Sequence, residues 1–182
     1  MSIYRTIFIL LLSIITPNLT INAYESAFKR TNEGVIEVKS LSASTVLVKR
    51  SNVSYFEANN LFMPLFWYIT TRNIAMTSPV EVNINPGEMY FFVGKDDSKR
   101  ELKSNGSVQV EKIPSRTVAS IGYCGRYKQR NFDKAKIKLI KWIEEQGVYT
   151  ISGEARAIYW DSPSVADANK RAEVHIPIFL TP

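Results

Sequence analysis

The chain of 182 residues contains one cysteine, Cys124, and one histidine, His175. A single cysteine allows no internal disulfide, so stability has to come from packing, and the thiol is either buried or open to intermolecular pairing. One histidine and one cysteine cannot build a structural zinc site. Any Ser-His-Asp or Cys-His arrangement would have to use His175 itself. That residue lies in Glu173-Val174-His175-Ile176-Pro177. Strand alternation sets it opposite Val174 and Ile176 and predicts a surface or rim position. The sequence holds no Gly-x-Ser-x-Gly elbow, no Gly-x-Gly-x-x-Gly or Walker-type loop, and no Cys-x-x-Cys-His attachment motif. It also lacks a concentrated basic run, which argues against nucleic acid as a partner.

Long apolar runs are missing as well. The stretch Ile7–Ile15 is nine residues long, too short to span a bilayer comfortably. With Arg5 before it, Pro17-Asn18 after it and Ala23 at a cleavage-compatible position, residues 1–23 read as a secretory signal peptide. An uncleaved anchor or a buried core segment are the other readings. Cleavage predicts a mature chain of residues 24–182, secreted or periplasmic, with no stable membrane insertion. The formal net charge of +6 falls to +5 once Arg5 is removed. That balance suits acidic small molecules, anionic surfaces or nucleic acid without choosing among them.

What is present supports a substantial core. Hydrophobic residues make up 45% of the chain and aromatics 12%, which predicts one domain or two small, closely packed halves, read as a monomer. Strand material occupies Val35–Val38 and Thr45–Val48. Ser54, followed three residues on by Glu57, is a capping-box signal. From there Ala58, Leu61, Phe62, Leu65, Phe66 and Ile69 form a helical stripe, with Pro64 predicted to kink or divide the helix. Val80, Val82 and Ile84 alternate with Glu81 and Asn83 in a strand that follows. Met89–Val93, Val108–Ile113 and Arg116–Tyr123 are further strands, and 94–106 reads as a long surface loop. A second helix is capped by Asn131, carries Phe132, Ala135, Leu139, Ile140 and Ile143 inward, and stops at Gly147. Lys134, Lys138 and Lys141 line its outer face as an ordinary solvated surface. Strands at Val148–Ile151, Glu154–Trp160 and Ala172–Phe179 complete the chain.

The order strand-helix-strand-strand occurs twice, over about 35–94 and 108–179. Thr45-Val46 is echoed by Thr117-Val118, and Trp67 by Trp142. This duplication predicts an α+β fold: a curved antiparallel sheet or distorted barrel flanked by two helices. A groove between helix and sheet is the usual place for a small molecule. Phe62, Met63, Phe66, Trp67 and Met76 could wall such a groove for a flat ligand, since Met adapts to irregular surfaces and packs on aromatic systems. Lys170, Arg171 or Arg72 could pair with its carboxylates. The competing reading of the same residues is plain core.

One string is more specific. Ile74-Ala75-Met76-Thr77-Ser78-Pro79-Val80, between a helix and a strand, resembles the signature of the SOUL haem-binding protein family. Tyr68-Ile69, Asn73, Met63-Pro64, Tyr159 with Pro163, and Lys170-Arg171-Ala172-Glu173-Val174 add to the resemblance, which spans essentially the whole mature chain. It implies a twofold-pseudosymmetric antiparallel barrel with two helices. It implies non-covalent binding of haem or a porphyrin by a non-enzymatic protein, in a groove against the first helix that carries onto Met63 and its neighbours. His175 falls where the family usually has an aromatic or apolar residue, so binding without histidine ligation is expected. Basic residues near the first helix are sparse in sequence. The same architecture occurs in gyrase-inhibitor-like small-molecule domains, so another apolar ligand is an alternative, as is a tetrapyrrole-modifying enzyme, or an interaction module using the basic surface.

Overall fold

The computed structural model describes residues 25–181; the expected signal segment, residues 1–23, lies outside them. In chain order the elements are β1 (Glu25–Ser26), β2 (Ile36–Leu41), β3 (Ser44–Arg50), α1 (Phe62–Thr71), β4 (Thr77–Ser78), β5 (Val80–Asn83), β6 (Glu88–Phe92), β7 (Val108–Ile113), β8 (Arg116–Cys124), α2 (Gln129–Gln146), β9 (Tyr149–Ile151), β10 (Arg156–Tyr159) and β11 (Arg171–Leu180).

One antiparallel sheet runs β2-β8-β11-β10-β5-β6-β3-β7, with β9 added to the far end of β11. Exchange the first half of the chain for the second and this order reads the same backwards: β3 answers β8, β6 answers β11, and β5 pairs with β10 at the centre. The duplicated unit is therefore two strands, a helix and two strands, one strand longer than its sequence pattern suggests.

The sheet has to curl. β2 and β3 stand first and seventh in the order, and six spacings of about 4.8 Å would hold them about 29 Å apart in a flat sheet. Yet only Ser42 and Ala43 join them, and three steps of chain reach about 11 Å at most. Pro114-Ser115 joins β7 to β8 in the same way. Curling brings the two ends together, but no β2–β7 ladder forms, so the barrel is not closed.

The curl gives two cores. Outside, α1 and α2 cover Leu47, Phe91, Val82, Ala157, Val174 and Ile176. Each of these except the small Ala157 contributes about 1.5–3 kcal/mol by burial. Inside, Val46, Val48, Tyr90 and Phe92 form a smaller cluster with Phe28. The N-terminal segment plugs this interior. β1 pairs in parallel with β4, and Phe28 stands edge-on to Phe92 and Trp160 and tilted against His175. A side chain at Gly122 would collide with the Asn32 and Thr31 carbonyls, 2.2 and 2.6 Å from where its Cβ would lie, so glycine lets the segment cross β8.

Three local expectations need correction. His175 is buried, at 2% exposure; alternation placed it correctly opposite Val174 and Ile176, but the curl and the plug make that face an interior. The first helix starts at Phe62, and Ser54–Ala58 is only a single turn, closed by the Ala58 amide on the Ser54 carbonyl at 2.8 Å. Pro64 then falls in the first turn, where its missing N–H costs nothing, and it need not kink the helix. The second helix starts at Gln129. Asn131 sits inside its first turn and donates back to the Arg126 carbonyl at 2.8 Å instead of capping. Gly147 does stop it, at φ 65°.

Candidate functional site

α1 is short and apolar on nearly every side. Leu65, Tyr68 and Ile69 are buried against the sheet. Its last turn is closed by a Schellman pattern: the Ile74 amide bonds the Ile69 carbonyl at 2.9 Å and the Asn73 amide bonds Thr70 at 3.3 Å. Asn73 takes the left-handed conformation this requires, at φ 51°. Thr70 and Thr71 return their hydroxyls to the Phe66 and Trp67 carbonyls, each at 2.8 Å. The helix is thus fixed at its C-terminal end, and its outer crest is left bare.

That crest is Met63, Phe66 and Trp67, at 43%, 39% and 58% exposure. The spacing i, i+3, i+4 makes them one continuous apolar patch. Phe66 also stacks on Phe62, ring centres 5.8 Å apart, and Phe62 packs edge-on to Phe91 of β6. The structure therefore brings Phe62, Met63, Phe66 and Trp67 together. Phe66 stands out from the buried stripe in which the periodicity placed it. Met76 is partly buried against the main core beyond the helix end.

Cations gather at the C-terminal end of α1. The Arg72 guanidinium lies 4.0 Å above the Tyr68 ring. Arg100 donates to the carbonyls of Arg72 at 2.8 Å and Asn73 at 3.2 Å, and is held from behind by Asp97 at 2.6 Å. The Tyr68 hydroxyl donates to the Lys103 carbonyl at 2.8 Å, tying the loop to the helix. Two clefts meet here. One, of about 180 Å³, runs from Pro64 and Trp67 to Arg72; the other, of about 490 Å³, runs from Arg72 to Arg100 and Lys103. They share Tyr68, Arg72 and Asn105. An apolar surface thus passes directly into a charged one with a basic excess, in which Lys103 is paired with Glu101 at 3.3 Å.

Lys170 and Arg171 are placed elsewhere, at the start of β11 in the α2 half. Lys170 bonds Asp167 at 2.7 Å and lies over the Tyr127 ring, and Arg171 is held by Asp161 through several bonds, one at 2.9 Å. None of these contacts reaches α1. Arg100 and Lys103 are the residues that sequence reading missed. They sit about thirty positions from the helix, in a loop whose charge reads only as solvation. Over the central strand pair, Tyr127 stacks on Tyr159 at 4.0 Å and Tyr55 tilts against it at 5.9 Å. Burial pushes the Tyr55 and Tyr127 hydroxyls up to about 12, so they are neutral donors.

A flat tetrapyrrole with carboxylates on one edge fits this α1 surface: aromatic and thioether groups for its face, guanidinium and ammonium groups for its edge. The protein's imidazole does not fit as an iron ligand there, because His175 is buried and its Nε2 is 2.7 Å from Glu173. Among the described residues no three His, Cys, Asp or Glu side chains group as a metal site, and no helix is long and apolar enough to cross a membrane.

Comparison with known proteins agrees with this architecture. Residues 22–177 match the model of the family described as SOUL heme-binding protein. The chain belongs to the SOUL family, a family of haem-binding proteins. No curated protein matches it. Among solved structures, the C-terminal domain of EcmrR is similar over 80% of this chain and 97% of that domain, with 19% identity and a TM-score of 0.64. Against EcmrR in its DNA complex the overlap covers 79% of this chain but only 57% of that one, again with 19% identity and a TM-score of 0.64. A hydrolase from Listeria innocua is similar over 82% of this chain and 94% of its own, with 6% identity and a TM-score of 0.57. At these identities the likeness is one of fold.

Proposed function

We propose that the protein binds haem or a related tetrapyrrole non-covalently on the crest of α1 and acts as a carrier or buffer outside the cytosol. The observation that carries this reading is the continuity of the Met63-Phe66-Trp67 patch with the Arg72, Arg100 and Lys103 cations. The macrocycle lies against the apolar crest, and its propionates meet the basic end. Family membership supports the ligand class, and the N-terminal pattern supports export. Affinity comes from apolar contact and ion pairing, with no imidazole on the iron.

The test is a haemin titration of the purified protein followed at the Soret band, with iron-free protoporphyrin in parallel. Both saturate with similar affinity, because the metal contributes little. A low-spin spectrum abolished by His175→Gln would refute the account. N-terminal sequencing of exported protein tests the localisation: the chain is expected to begin near Tyr24.

A further inference from the structure

A second cleft lies in the other half of the molecule. The first cleft lies where α1 meets the approach to edge strand β7, at Asn105, Ser107 and Val108. The second lies where the first half of α2 meets the approach to edge strand β2, at Glu33, Gly34 and Ile36. There the structure has an open cleft of about 710 Å³, within the range of about 300–1,000 Å³ usual for small-molecule sites. Ile36, Ile121 and Ala135 form its floor, Ile137 stands on its wall at 67% exposure, and Lys134 and Lys138, one turn apart on the same flank of α2, rise beside Ile137. Neither lysine has an acidic partner among the described residues, whereas Lys141, one turn on, pairs with Glu145 at 3.7 Å.

From this geometry we infer that the α2 cleft is a second binding site, for an amphipathic anion with a flat apolar body and carboxylates on one edge. The floor takes the body and Lys134 and Lys138 take the carboxylates. The inference shares its ligand class with the α1 reading but rests on different residues. Two features separate this cleft from an ordinary helix flank: a large β-branched side chain left in water, and two unpaired cations beside it. Glu33 is the one carboxylate on the rim, and it stands beside Cys124 at the opposite wall. Burial and that carboxylate push the Cys124 thiol up, so it stays protonated at neutral pH. The thiol lines the cleft and reports on its occupancy.

The experiment is a protoporphyrin titration by fluorescence for stoichiometry, run beside the rate of Cys124 alkylation by a maleimide. The full chain is compared with Ile137→Asp, Trp67→Asp and the double variant. Both positions are exposed, and urea midpoints confirm that each variant is folded. Two equivalents bind the unaltered protein, one binds each single variant, and none binds the double variant. Porphyrin at about ten times its Kd slows alkylation roughly tenfold in the unaltered protein and in Trp67→Asp, and has no effect in Ile137→Asp. A single equivalent lost in Trp67→Asp, with alkylation unaffected by porphyrin, overturns this site and leaves the α1 reading standing. A single equivalent lost only in Ile137→Asp overturns the α1 reading and leaves this one. No saturation in any variant overturns both.

Discussion

Nε2 of His175 lies 2.7 Å from Oε2 of Glu173, and both side chains are shut inside the curled sheet. An ionised carboxylate only accepts, so Nε2 carries the proton of a neutral imidazole and Nδ1 is left as an acceptor. Nδ1 has no partner among the described residues. The pair is part of a larger arrangement in which the Glu173 carboxylate also accepts from the Thr31 amide, Lys39, Ser120 and Trp160 at 2.7–2.9 Å.

Acid should unfold the protein in two stages. Burial holds His175 below its usual 6.5, against the opposing pull of Glu173. Lys39 and Glu81 are the other charges facing it. The unfolded chain then binds the extra proton first, so this stability is complete above about pH 6.5 and is lost as pH falls through it. Burial raises the Glu173 carboxyl, but His175 and Lys39 outweigh it and bring it to about 2 from an ordinary 4.5. Its contribution is complete above about 4.5 and is lost between there and about 2. Urea unfolding across pH 2–8 checks this. His175→Gln is expected to remove the upper stage and to shrink the lower one, since His175 also helps lower the Glu173 carboxyl, and stability that rises between pH 7 and 5 would contradict the assignment.

Glu173→Gln is nearly isosteric and still severe. Five donors face the carboxylate, and a glutamine turns a donating NH2 toward some of them while leaving Lys39 without a counter-charge. Breaking a buried pair in this way costs about 3–5 kcal/mol. Urea unfolding measures the loss. Trp160 fluorescence is expected to shift with it, since its indole N–H loses a charged acceptor.

Asn73 tests how α1 is terminated. Asn73→Val forces a β-branched residue into the left-handed conformation at a cost of about 1–2 kcal/mol. Asn73→Gly is compatible with φ 51° and changes stability by less than about 1 kcal/mol. Thermal melts of the two variants should therefore separate clearly.

The α1 crest should separate binding from stability. Trp67 is 58% exposed, so Trp67→Asp changes the unfolding free energy by about 0.5 kcal/mol or less. The same change sets a carboxylate against the macrocycle, where desolvation is costly, and porphyrin affinity at this site falls at least about tenfold. Arg72→Glu with Lys103→Glu is expected to weaken binding too, and to remove most of its salt dependence. His175→Gln leaves affinity unchanged at pH 7. Porphyrin titrations at two ionic strengths decide each of these.

Much of this was legible in the chain because its signals are local. Phe132, Ala135, Leu139 and Ile143 announce α2 by spacing and are its buried face. The Met76–Val80 string marks the helix-to-strand junction and the family. Thr45-Val46 and Thr117-Val118 do occupy equivalent strands, β3 and β8. The failures are of two kinds. Periodicity reports which side of a strand a residue takes, not what covers that side, so His175 and Glu81 gave no sign of being interior. Arg100 and Lys103 reach Arg72 and Tyr68 only through a long-range contact, and no spacing rule connects them. Phe66 misled for a related reason: it keeps helical phase with Ile69, yet phase does not report how far round the helix the sheet's cover extends, and Phe66 is left 39% exposed.

The places of β2 and β7 bear on how the molecule could be taken apart. β2 comes from the first half of the chain but pairs with β8 of the second, and β7 of the second half pairs with β3 of the first. Each half lends the other its outermost strand, as in a strand-exchanged dimer written into one polypeptide. A protein nicked between Gly94 and Gly106 should therefore hold together as a two-fragment complex under native conditions. Either fragment alone would lack an edge strand, and a copy of the first half would be expected to complete itself by pairing with another copy.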